Sequence, residues 1–113
     1  MADLVYIDIE DGLKRVMNNT KLYAKLLTKF KDDQNIKTIE TTLAAGDLPN
    51  AQIATHTLKG LSANLSLKEL NKHVVELEAQ IKAGSVKPDQ YGIVKSVYDQ
   101  SMTEVDKVIA KYA

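Results

Sequence analysis

Cysteine and tryptophan are absent from this 113-residue chain, proline occurs twice and phenylalanine once, and neither charge sign is in excess, with fifteen Lys plus Arg set against fifteen Asp plus Glu. Without cysteine there is no disulfide framework, no thiolate nucleophile and no cysteine-based zinc site, which suits a reducing compartment. With no net field for a polyanion and no basic run interleaved with aromatics, nucleic acid is not an expected partner. The longest uncharged segments hold too many Thr, Asn, Gln and Ser to span a bilayer, and Met1-Ala2-Asp3 offers neither a basic leader region nor a cleavage-like site. No membrane association is expected, and the cytoplasm is the expected address. Glycine-rich phosphate loops, GxSxG elbows and HExxH helices are missing too. The only two histidines, His56 and His73, lie on different predicted helices, and Glu69 with His73 forms no Glu-x-x-His pair. No metal site and no cofactor are expected. The length suits one domain with one core, residues 1–113.

What the chain does contain is helical periodicity. After an apolar lead-in from Leu4 to Ile9, read as an arm packing on helices, Asp8 is a plausible N-cap for a first short helix to about Met17. Leu22, Leu26, Leu27 and Phe30 keep helical spacing from Thr20 until the polar cluster Lys31-Asp32-Asp33-Gln34-Asn35 interrupts it, and another helix carries Ile36, Ile39 and Leu43 to Gly46, a natural C′ residue. Asp47-Leu48-Pro49 restarts a helix that carries His56 and ends near Leu65. Ser66-Leu67-Lys68-Glu69 reads as a capping box that turns the chain tightly into a partner helix with Leu67, Leu70, Val74, Leu77 and Ile81 on one stripe, closed by Gly84. Lys87-Pro88 opens the last helix, with Tyr91, Val94, Tyr98, Val105, Ile109 and Tyr112 as its buried stripe. These signals predict an all-α fold, an antiparallel four-helix bundle with a shorter N-terminal helical segment, its core spanning about residues 20–112.

One stretch carries chemistry. In a helix through Ala54, Leu58, Leu61 and Leu65, His56 lies about 170° from the centre of the apolar stripe, so it is displayed to solvent. Lys59, three residues on, sets a cation beside the imidazole, which suits a histidine that carries a phosphoryl group. Gly60, in a helix interior at a cost of about 1 kcal/mol relative to Ala, and the small Ala63 leave a clearing around the ring. Lys59 and Lys68 are the only charged residues between Asp47 and Glu69, so an acidic partner site meets no like charge along this helix. His73, about 60° off its own stripe, reads as a boundary residue without a role.

His56-Thr57-Leu58-Lys59-Gly60-Leu61-Ser62 resembles the H-x-L-K-G-x-[SA] motif of the histidine-containing phosphotransfer (HPt) domain family. The likeness extends to Leu43–Asp47, Leu22–Leu27 and Ile9–Leu13, and covers about residues 5 to 112. It implies a four-helix bundle displaying a histidine, and a phosphorelay intermediate in which His56 accepts a phosphoryl group from a receiver-domain aspartate, or from a kinase, and passes it to another receiver. Lys59 would hold the phosphoryl oxygens and Gly60 would keep the approach open. Neutral His56 would attack phosphorus in line through Nε2. The implied partners are response-regulator receiver domains, a hybrid sensor kinase or both, with the divalent metal on the receiver and the chain itself a monomeric carrier without an ATP site.

Two positions qualify the likeness. Ser66 stands where many members have glycine. Glu78, about 80° off its apolar stripe, stands where many members place a glutamine that hydrogen-bonds the histidine; a glutamate would favour the imidazolium, and an ordinary solvated glutamate is the alternative. Docking is expected on Gln52, Ile53, Ala63 and Val75, with Ile53 and Val75 about 100° or more from their core stripes. Two other readings compete: an interaction module that binds without transfer, and the histidine-bearing domain of a chemotaxis-type kinase. The Met1 start and the close fit to the domain's limits favour a small independent protein.

Overall fold

Asp8, Asn19 and Asp47 each point a side-chain oxygen at the backbone N–H three residues on, and each opens a helix. The computed structural model describes residues 5–113, so Leu4 of the lead-in and the reading of Met1-Ala2-Asp3 lie outside the described residues. Six helices follow in order: α1 (Ile9–Arg15), α2 (Thr20–Lys31), α3 (Asn35–Ala44), α4 (Leu48–Asn64), α5 (Lys68–Lys82) and α6 (Gln90–Tyr112). No strand occurs among the described residues. The chain is thus all-α: α4 packs against α3 and α5, α6 packs against α5 and α2, and α1 rides on α2. Gly46 and Gly84 take left-handed φ values of 71° and 70° just past α3 and α5, the conformation that lets a glycine end a helix.

The core joins Tyr23, Leu27 and Phe30 of α2, Ile36 and Ile39 of α3, Ala54 and Leu58 of α4, Leu70, Val74, Leu77 and Ile81 of α5, and Val94, Val105 and Val108 of α6. Leu22 does not join it. It is exposed, and α2 turns Tyr23, Ala24, Leu27 and Phe30 inward instead. Tyr23 is fully buried because its hydroxyl has a partner, donating to the Leu65 carbonyl at 2.8 Å, and burial pushes its phenol up to about 12. Two boundaries shift from expectation. α1 stops at Arg15, since Met17 and Asn18 both take positive φ, and α6 begins at Gln90, with Pro88 in the preceding turn.

The capping box at Ser66 is not formed. The residue preceding α5 is Leu67, which makes no side-chain cap, while Ser66 is buried with φ at +60°. That conformation accounts for the glycine common here in the resembled family, since a Cβ is disfavoured in it. The Ser66 hydroxyl instead donates to Asp11 of α1, whose carboxylate also accepts from Arg15 Nε and Lys68 Nζ, each at 3.2 Å. The Ser66 hydroxyl first, then Arg15 and Lys68, hold the Asp11 carboxyl down at about 2. The lead-in arm docks on the same turn through its backbone: Asp8 N–H donates to Ser66 O at 2.9 Å and Glu69 N–H donates to Val5 O at 3.2 Å. The α4–α5 hairpin is therefore clamped at its closed end, which fixes the register of everything above it.

Candidate functional site

α4 and α5 run antiparallel from a turn of three residues, so a side chain on α4 meets one about as far from the turn on α5. His56 and Glu78, 22 residues apart in sequence, are matched in this way, and so are Lys59 and Glu78, 19 apart. The buried face of α4 carries Ala51, Ala54, Thr55, Leu58 and Ser62. His56 lies opposite, with 63% of its side chain exposed. The sequence stripe is placed inward as expected, with Ala54, Leu58 and Leu65 buried and Leu61 half-buried. Thr55 and Ser62 widen it, because small hydroxyl residues let α5 come close: Thr55 Oγ1 donates to Ala51 O at 2.6 Å and Ser62 Oγ to Lys59 O at 3.0 Å.

Glu78 is the centre of the site. Only 4% of its side chain is exposed, so the solvated reading fails; α4 covers the boundary strip on which the helical angle put it. Its Oε2 lies 3.0 Å from His56 Nδ1 and its Oε1 2.6 Å from Lys59 Nζ. Lys82, one turn further along α5, brings a second ammonium to 4.0 Å from Oε1. Burial acts to raise the Glu78 carboxyl's pKa, but the Lys59 ammonium, the His56 bond and the Lys82 charge outweigh it and hold it below the usual carboxylate range. An ionised carboxylate only accepts hydrogen bonds, so its contact with His56 requires the proton on Nδ1. In the neutral imidazole the lone pair then stays on Nε2. This is the arrangement of an oriented nucleophile.

Lys59 is pinned at its backbone and engaged at its tip. Its carbonyl accepts from Asn71 Nδ2 at 3.0 Å, and Asn71 also reaches Ser62 Oγ at 3.2 Å, tying the hairpin together below the histidine. At rest its ammonium rests on Glu78 rather than standing free beside the ring. A Cβ placed on Gly60 would meet no atom within 4 Å, so alanine there crowds nothing in the free chain. The clearing matters only to an approaching surface. Ile53 is 63% and Val75 46% exposed, large apolar side chains on the two helices that build the site, while Gln52 and Ala63 are half-buried.

Several residues of this construction escaped sequence reasoning. Asn71 sits two turns before Glu78, on the same line of α5, and that spacing is a usable signal. Lys82 stands four residues after Glu78, the favoured order for a helical ion pair, and was equally readable. Gly12 gave no signal: its Cβ position is filled by the Tyr23 ring, a contact between two helices. His73 lies 3.8 Å from Glu69 and takes no part in the site. Among the described residues no group of three or more His, Asp or Glu is placed to hold a metal ion, and no helix is long and apolar enough to cross a membrane. A cleft of about 660 Å³ opens between α1, α2 and the end of α4, lined by Val16, Leu26, Phe30 and Leu61 among others, and none of His56, Lys59 or Glu78 touches it.

A family model described as Hpt domain matches residues 25–108. Neither the curated proteins nor the solved structures give a match to this chain.

Proposed function

The chain belongs to the Hpt domain family, whose role is histidine phosphotransfer in two-component phosphorelay, and from that premise we propose that His56 is the phosphoryl acceptor of a relay intermediate between receiver domains. The observation that carries this reading is the pairing of an exposed imidazole with a buried carboxylate at Nδ1, 3.0 Å away, which leaves Nε2 as the nucleophile. Nε2 gives its lone pair to the phosphorus of a receiver's aspartyl phosphate. The N–P bond forms as the bond from phosphorus to the aspartate oxygen breaks, and the aspartate leaves as a carboxylate. The Nδ1 proton stays in place, so positive charge develops on the ring, and Glu78 faces that charge.

The same geometry serves the reverse step. A ring that keeps its Nδ1 proton is the better leaving group, and when a receiver aspartate attacks phosphorus the electron pair of the N–P bond returns to Nε2. The divalent metal and the acidic residues around it belong to the receiver, and the chain works as a carrier with no ATP site. Lys59 is the residue for the phosphoryl oxygens, and Ile53 and Val75, with Gln52 and Ala63, form the docking surface.

Mixing the protein with a phosphorylated receiver should transfer label in an acid-labile, alkali-stable form that His56→Gln abolishes. Label persisting on that variant would sink the assignment. In the free protein, ring ¹⁵N shifts should report the proton on Nδ1, and the opposite tautomer would contradict the role given to Glu78.

A further inference from the structure

Glu78 poses a charge problem that the proposed reaction makes worse. The carboxylate is buried, and its closest cation is Lys59, at 2.6 Å. Lys59 is also the residue assigned to the phosphoryl oxygens. If its ammonium turns to them, Glu78 loses its nearest counter-ion just as a second anion arrives beside the ring. Around Glu78 the structure places His56 and Lys59 from α4 and Lys82 from α5, and no other charged group among the described residues lies within ion-pair distance of it.

Resting on the carrier reading above, we infer that Lys82 is a positioning residue: it takes over Glu78 when Lys59 turns to the phosphoryl group, and so keeps the phosphorylated site neutral. Geometry allows it. Lys82 Nζ stands 4.0 Å from Glu78 Oε1, outside hydrogen-bond distance, and its side chain is 58% exposed and free to close the remaining gap. Glutamate followed by lysine at i, i+4 is the favoured order on a helix. The formal charges agree. A phosphoryl dianion on a ring protonated at Nδ1 has net charge −1, Glu78 adds −1, and Lys59 with Lys82 adds +2. Without Lys82 the phosphorylated site carries an uncompensated negative charge, whereas the resting site, with Lys59 in place on Glu78, does not.

The perturbation is therefore selective for the phosphorylated state. Lys82→Gln should move the phosphotransfer equilibrium with a purified receiver away from His56 by about two- to fivefold at low salt, the range for a partly exposed charge, and the shift should shrink as ionic strength rises. Lys82→Arg should restore the wild-type equilibrium, and the resting His56 tautomer, read by ring ¹⁵N shifts, should be the same in all three proteins. Because Lys82 is exposed and outside the core, both variants should melt within a few degrees of the wild type. An unchanged low-salt equilibrium in Lys82→Gln, or failure of Lys82→Arg to restore it, overturns the role of Lys82 while leaving the carrier reading intact. A wild-type protein that takes up no label from any phosphorylated receiver overturns the carrier reading itself.

Discussion

Alanine should have opposite effects at two glycines that both lie inside helices. At Gly12, in α1, an added Cβ would fall 2.7 Å from Tyr23 Cε1 and closer still to the ring's Cζ and hydroxyl. Tyr23 cannot simply swing away, because it is fully buried and its hydroxyl is held by the Leu65 carbonyl at 2.8 Å. Overpacking of this kind costs about 1–3 kcal/mol. Displacing the hydroxyl from a buried carbonyl adds about 1–3 kcal/mol. Alanine's better helix propensity returns about 1 kcal/mol. The net loss is then about 3 kcal/mol, a large share of the roughly 5–15 kcal/mol by which a domain is stable. At Gly60, with nothing within 4 Å of the added carbon, only the propensity gain remains, so Gly60→Ala should stabilise by up to about 1 kcal/mol. Urea unfolding of the two variants and the wild type measures both signs, and Gly12→Ala in a Tyr23→Leu background shows whether the ring is the obstacle. A Gly12→Ala protein as stable as the wild type, or one whose loss is undiminished in that background, would refute the contact.

The acid limb of stability should depend on Asp11. Its folded-state carboxyl sits at about 2 against an ordinary value near 3.9, so the unfolded chain binds more protons between these limits. Its contribution is full above about pH 4 and is lost as pH falls towards 2; Asp11→Asn should flatten that limb in unfolding curves taken from pH 5 to 2. Tyr23→Phe should cost about 1–3 kcal/mol by leaving the Leu65 carbonyl without its donor, measured by chemical denaturation at pH 7. At Ser66, alanine keeps the left-handed strain and loses the bond to Asp11, while glycine loses only the bond; Ser66→Ala should be less stable than Ser66→Gly by about 1 kcal/mol. Glu78→Gln removes the charge and leaves one oxygen where two now accept, one from His56 and one from Lys59, so label uptake by His56 from a phosphorylated receiver should slow.

What was legible in the sequence was what a single helix decides. The caps Asp8 and Asp47 were readable because a cap and its target lie three residues apart, and the display of His56 followed from angles along α4 alone. Glu78 was legible only to the boundary of its stripe, since burial of a boundary residue depends on which neighbour covers it, and that neighbour is set by the register of the hairpin. Ser66 was misread for a related reason. Ser-x-x-Glu satisfies the local pattern of a capping box, but the chain enters α5 from a left-handed residue, and the serine hydroxyl bonds to a carboxylate 55 residues away. Leu22 was placed inward by hydropathy, whereas the buried phase of α2 is set by a tyrosine whose hydroxyl finds a carbonyl on another part of the chain.

The choice of glutamate at position 78 is where these levels meet. A glutamine would add no charge near an incoming phosphoryl group, but it offers one oxygen where the carboxylate gives one to His56 Nδ1 and another to Lys59 Nζ. On the carrier reading proposed above, glutamate also faces the charge that develops on the ring, which a neutral amide offsets far less. Its drawback is repulsion of the phosphoryl dianion and a cost of burial, and both call for cations. The structure supplies one on each helix of the hairpin, Lys59 in contact and Lys82 within reach. On the carrier reading proposed above, Glu78 competes with the phosphoryl oxygens for the Lys59 ammonium, and Lys82 eases that competition.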